Sequence, residues 1–159
     1  MISEPLARLL VEQVGHELGA HQRYLGISIY FQRQSLSGWA KVFRDQAIEE
    51  AQHAERIMSF LVDNEVRFEL PALKSATTRY RTAKAAVETA LDSEVKVTAQ
   101  FEALASAASD AGDHRGLQFL QWFIDEQVEE ERTVRALLDL IDSGINLFQA
   151  EAHLDSLSG

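Results

Sequence analysis

Cysteine is absent from all 159 residues, which removes disulfides, iron–sulfur clusters and thiolate zinc sites and leaves hard oxygen and imidazole ligands for any metal. Proline occurs twice and glycine eight times, with no Gly-, Ser- or Pro-rich tract to serve as a linker or low-complexity segment. No apolar run approaches a membrane-spanning length, and Met1-Ile-Ser-Glu-Pro5 lacks the basic and apolar regions of a signal peptide. A cytoplasmic chain with no membrane partner is therefore expected. Positive charge is scarce as well: 15 Lys and Arg stand against 25 Asp and Glu, a formal charge of −10 that disfavours nucleic acid and favours cations as partners. What is present is 46% hydrophobic residues, over a length that suits one domain, residues 1–159, with a sizeable core.

With so few breakers, apolar residues recur at helical spacing over four long stretches. The first runs from about Glu4 to Gln34, with Pro5 suited to a first turn, and is broken by Ser35-Leu-Ser-Gly38. Ser37 is a candidate cap for the second, about Trp39 to Asn64. From Val66 to about Tyr80 the period is lost, with Pro71 and Thr77-Thr78 lowering helix propensity. A third stretch, about Arg81 to Ser109, ends at Asp110-Ala-Gly-Asp-His114, and a fourth, about Arg115 to Ser143, stops at Gly144, which suits a left-handed cap. A short fifth helix is expected over about 146–157, on the spacing of Leu147, Phe148, Leu154 and Leu157. Short turns make antiparallel hairpins of the first and last pairs. The long connection can span a bundle's length, so the second and third helices run parallel. The expectation is an all-α, up-down-down-up four-helix bundle over about 4–143, with a long crossover between the second and third helices and a short C-terminal fifth helix.

A step of seven returns a helix to nearly the same face, and along each seam one position is a glutamate. The series are Leu10, Glu17, Tyr24, Phe31; then Phe43, Glu50, Ile57 beside Gln46, His53, Phe60; then Val87, Glu94, Phe101, Ala108; then Phe123, Glu130, Leu137 beside Leu120, Gln127, Val134. A carboxylate buried among such neighbours is heavily penalised unless it is paired or holds a cation. The first three seam glutamates have no Arg or Lys at an adjacent core step. Four at similar depth in four helices point to a shared cationic ligand. Glu50 and His53, three apart, project toward one point, and an imidazole among several carboxylates suits iron, manganese or zinc better than magnesium or calcium. Alone, Glu-x-x-His is common on solvated helix faces; on an apolar seam with a glutamate in each partner helix it reads as a two-cation site.

Glu17, the Glu49-Glu50-Ala-Gln-His53 run, Glu94, Phe119-Leu-Gln-Trp122 and Glu126-Gln127-Val-Glu129-Glu130-Glu131 together resemble the bacterial non-haem ferritins of the ferritin-like di-iron family, over nearly the whole chain. The resemblance implies a ferroxidase centre in which Glu17, Glu50 and His53 hold one iron, Glu50 bridges, and Glu94 and Glu130 hold the second, with Gln127 as a hydrogen-bonding partner. It further implies an accessory third iron site at Glu49, Glu126 and Glu129, and a tyrosine, Tyr24, close to the centre. The activity so implied is oxidation of ferrous iron by dioxygen or hydrogen peroxide, followed by storage of ferric mineral inside a homo-24-mer shell. Trp39, Phe148 and Leu154 are candidate shell contacts. A small-oligomer di-iron oxidase or peroxidase of the same superfamily is the alternative.

Departures from relatives narrow the resemblance. Haem-containing bacterioferritins carry a second Glu-x-x-His, where this chain reads Gln127-x-x-Glu130, and a methionine where position 51 is alanine, so no haem is expected. Rubrerythrin-like proteins add a cysteine-rich iron domain, which a cysteine-free chain cannot form. His16 and His21 are five apart, not the four that a helical zinc-protease motif needs. His114 and His153, in a turn and a tail, read as exposed. Trp122 reads as core filler more readily than as an electron donor.

Overall fold

The computed structural model describes residues 1–157 and is helical throughout its regular elements. Helix α1 (Glu4–Arg33) and α2 (Ser37–Asp63) form one hairpin, and α3 (Ala83–Asp110) and α4 (His114–Asp142) a second. Pro5 lies in the first turn of α1, where its missing N–H costs nothing. The expected boundaries hold to within about two residues, but Ser37 is not the cap. Leu36 occupies that position, no side chain bonds the first turn of α2, and Ser37 is already helical. Among the four long helices the side-chain caps that form are Thr82, accepting from the Ala85 N–H, and Asp113, whose carboxylate accepts from the Gly116 N–H at 2.8 Å and from the Ser3 N–H at 2.7 Å. Gly144 follows α4 at φ 80°, the left-handed conformation expected of it.

The crossover from α2 to α3 is extended and lies along α1. Pro71 sits where a Cβ at Gly15 would be only 2.7 Å from its ring, and the Thr77 carbonyl oxygen occupies the space of a Cβ at Gly26. The crossover thus travels in the same direction as α1, back to the end where α2 begins. Helix α3 consequently starts beside the start of α2 and runs parallel to it, which gives the up-down-down-up order.

The short fifth helical segment lies where it is expected, but only its first turn is α-helical. A single α-helical turn, α5 (Leu147–Ala150), is capped by Asn146, whose side chain accepts from the Phe148 and Gln149 N–H groups. A 3₁₀ segment (Glu151–Ser156) continues it. Ala150 and Leu154 are buried against the bundle, and the Trp39 indole donates to the Leu147 carbonyl at 3.0 Å. Trp39 and Leu154, expected as contacts between subunits, are therefore spent within the chain, whereas Phe148 is 59% exposed.

The apolar core falls into two clusters. One, at the α1 C-terminal end, contains Ile27, Phe31, Trp39, Phe43, Val87 and Leu137. The other contains Leu6, Leu10, Ile57, Leu61, Phe101 and Phe123. Between them, on all four helices, lies a buried polar layer of Glu17, Glu50, His53, Glu94, Gln127 and Glu130.

Candidate metal centre

Each seam glutamate is placed by one long helix, so its depth follows from the helical period and from the apolar residues a turn or two away on either side. None of Glu17, Glu50, Glu94 and Glu130 exposes more than 5% of its surface. Potential ligand atoms converge in triads whose members lie within 4.8 Å of one another: Glu17, Glu50 and His53; Glu50, Glu94 and Glu130; and His53, Glu126 and Glu130. Glu50 belongs to the first two, so one carboxylate spans two adjacent positions.

Hydrogen bonding satisfies only part of this layer. Tyr24, completely buried, donates its hydroxyl to Glu94, and Gln127 Nε2 donates to the other oxygen of Glu94 at 3.0 Å. Gln46 donates to Glu130 and, at 3.4 Å, to Glu50. Gln13 Nε2 donates to Glu17 at 3.2 Å. Left without partners are Glu17 Oε2, Glu50 Oε2, His53 Nδ1 and Gln127 Oε1. His53 Nδ1 stands 3.8 Å from Glu17 and 3.4 Å from Glu50 without forming a hydrogen bond to either. Buried polar atoms are nearly always satisfied, so four orphans in one layer fit a cation-binding pocket, the three oxygens through their lone pairs and His53 Nδ1 once it gives up its proton.

The electrostatics agree. Burial, followed by the neighbouring carboxylates, pushes Glu50 up to about 7 and Glu94 up to about 8, and raises Glu130 strongly. Burial alone would lower His53, but adjoining Glu17 and Glu50 outweigh it and raise it to about 11. Burial, with Glu94 beside it, keeps the Tyr24 phenol protonated and thus a donor. Without a cation the layer holds protons on its raised carboxyls and on His53; divalent ions would displace them and let the carboxylates ionise.

Of the outer acids, Glu126 is half-buried and joins the His53 and Glu130 triad, while exposed Glu49 is close enough to Glu130 to raise it. Glu129 is exposed and paired with Arg132, so it is not drawn into this group. Trp122 packs edge-on to His53 with ring centroids 5.5 Å apart, and the Arg56 guanidinium lies over the indole, 4.0 Å from the ring centre. Gln13 and Gln46 were not singled out as site residues. Each lies four residues before a seam glutamate, and that one-turn step is the signal that would have found them.

A family profile described as a ferritin-like domain matches residues 7–143. The chain belongs to the ferritin-like family. Among ferritins it is 40% identical over 144 residues to Ferritin BfrB of Mycolicibacterium smegmatis, covering 90% of this chain and 80% of that protein. It is 30% identical over 142 residues to the bacterial non-heme ferritin of Staphylococcus haemolyticus, covering 89% of this chain and 86% of that one. The open pore ferritin of Archaeoglobus fulgidus superimposes with a TM-score of 0.93 at 28% identity, covering 97% of this chain and 98% of that one. The ferritin fold thus extends over almost the whole chain, polar layer included.

Proposed function

We propose that this chain is a ferritin subunit that oxidises ferrous iron at a dinuclear centre and stores the ferric product as mineral inside a protein shell. Iron is here both substrate and cargo. The observation that carries the reading is the sharing of Glu50 between two buried triads, with Glu17 Oε2, Glu50 Oε2 and His53 Nδ1 left without a hydrogen-bond partner. Glu17, Glu50 and His53 hold one ferrous ion, Glu50 bridges, and Glu94 and Glu130 hold the second. Hard carboxylate oxygens stabilise the higher charge of the ferric state and so favour electron loss. Gln127 and Tyr24 fix the orientation of Glu94 through their hydrogen bonds, which leave the Gln127 side-chain oxygen without a partner. Dioxygen or hydrogen peroxide accepts the electrons. Glu126 and Glu49 form an accessory third site beside the centre; Glu129 joins it only if its pairing with Arg132 is given up.

Assembly into a homo-24-mer and a cytoplasmic location are part of the same proposal. The fold of cage-forming ferritins supports the first, and no helix among the described residues is long and apolar enough to cross a membrane. The deciding experiment adds ferrous iron aerobically to metal-free protein, well beyond about two per chain, and follows iron and protein by size-exclusion chromatography. Rapid oxidation with excess iron travelling on a large particle is expected. Binding that stops near about two per chain on a small species would replace storage with a di-iron oxidase.

A further inference from the structure

Away from the metal centre, a cavity of about 850 Å³ opens between α1, α3 and the crossover. Its geometry follows from three glycines of α1. Gly15 and Gly26 let the crossover rest directly on the helix at Pro71 and Thr77, whereas a Cβ at Gly19, between them, would meet no atom within 4 Å. The crossover therefore arches over an open floor. Gln22 holds the arch by donating to the Lys74 carbonyl at 3.3 Å. Residues 67–81 make no backbone–backbone hydrogen bond among the described residues, so peptide N–H groups of the arch remain available as donors.

The charge of this cavity is opposite to that of the molecule. Arg23, Lys74 and Lys96 line it together with His16, and Glu12 is the one carboxylate among the lining residues. Among the described residues none of the three cations is paired with a carboxylate, although the chain carries 25 acidic residues against 15 basic ones. The Arg23 guanidinium is oriented by its bond to Ser93 Oγ at 2.7 Å, which leaves most of its donors unused. In so acidic a chain, three cations around one cavity, none bonded to a carboxylate, call for a negatively charged ligand.

We propose that this cavity binds a phosphoryl oxyanion, with Arg23 and Lys96 as its principal ligands and Lys74 closing over it from the arch. Offset by Glu12, the three cations leave two positive charges, which matches a phosphate group carrying about −1.5 to −2 at neutral pH better than a single carboxylate. Arg23 supplies the planar fork that phosphate oxygens accept in pairs, and Lys96 a point charge. The volume lies within the roughly 300–1,000 Å³ range of small-molecule sites, leaving room beyond the phosphoryl group for the organic part of an ester against Leu73, Val97 and Tyr80.

The test is calorimetric titration of the assembled, metal-free protein with inorganic phosphate and, separately, with adenosine monophosphate, at matched ionic strength in potassium chloride. Saturable binding of one anion per chain is expected. Tighter binding of adenosine monophosphate would identify an ester as the ligand, and equal or weaker binding would identify free phosphate. Arg23→Gln and Lys96→Gln should each weaken binding by about tenfold or more, as loss of a charge-assisted hydrogen bond does. Gly19→Leu fills the open floor and should abolish binding while elution volume and helical circular dichroism stay unchanged. No saturable binding of either anion to the wild type, or binding undiminished in all three variants, would overturn the proposal.

Discussion

Glu50 has the most demanding position in the polar layer, because its carboxylate belongs to two triads at once. Glu50→Ala should lower the initial rate of ferrous oxidation by at least about 100-fold, more than loss of an outer hydrogen-bond partner costs, with the shell intact. Gln13→Leu, which removes the donor to Glu17, should cost about tenfold in the same stopped-flow assay. An unchanged rate in Glu50→Ala would remove Glu50 from the centre. The protonation of the metal-free layer leads to a second expectation. Glu50 and Glu94 titrate near about 7 and about 8, above their ordinary 4.5, chiefly through burial. A carboxyl raised on folding binds more protons in the native than in the unfolded state, so its contribution to stability declines as pH rises from its unfolded value through its folded one. His53, raised to about 11 from 6.5, acts with the same sign: its contribution is full below 6.5 and declines from there as pH rises toward and through the folded value. The melting temperature of metal-free protein should therefore fall between about pH 5 and pH 8.5. Zinc, which is not oxidised, should flatten that slope by displacing the protons. A midpoint that climbs over this window, or a slope that zinc leaves unaltered, would contradict the assignment.

At the scale of elements, the crossover depends on contact with α1, and paired glycine substitutions separate its two kinds of contact. Gly26→Ala drives a methyl group into the Thr77 carbonyl and should destabilise the metal-free protein by about 1–3 kcal/mol, as overpacking does. Gly19→Ala meets open space in a helix interior and should stabilise by about 0.5–1 kcal/mol. Urea unfolding of both would check this, and equal effects of the two would mean that the crossover does not sit on Gly26. These contacts also show what could be read from residue order. The four helices were legible because their period persists for 27 to 30 residues, and the seam glutamates because each interrupts an apolar series. Caps were less legible: Asp113 bonds Ser3 at the far end of the chain, a partner no local pattern reveals, while Ser37 has the right chemistry but lies one residue inside its helix. The C-terminal segment has helical spacing, yet it winds as 3₁₀ after one α turn while Ala150 and Leu154 are held against the bundle. Gln13 and Gln46 passed unremarked as site residues because a neutral amide on a helix carries little signal until the carboxylate it faces is seen.

For the whole molecule, the proposed oxidation site and the proposed storage shell would be separable properties, since every member of the two main triads comes from one chain whereas a cavity for mineral requires many. Several large apolar side chains remain exposed on a single subunit. Leu25 is one, and its place is set by His21 and Ser28, which flank it on α1 and bond to the Ala47 and Ala40 carbonyls of α2. Leu25 thus stands at the outer α1–α2 seam, with Ile29 one turn further along α1 and Ile48 on α2, all at least 36% exposed. If this seam is covered by a neighbouring subunit, Leu25→Arg places a charge in an apolar contact and should disperse the particle, which as twenty-four chains of 17.8 kDa would have a mass of roughly 430 kDa. Because Leu25 faces away from the polar layer, the dispersed variant should still oxidise its first equivalents of ferrous iron, about two per chain, at the wild-type rate. Iron added beyond that should precipitate in the variant and stay soluble with the wild type. Light scattering with iron analysis of the supernatant would read both. A dispersed variant that still keeps a large excess of iron in solution would show that storage does not require the shell, and a variant that remains a large particle would place the subunit contact elsewhere.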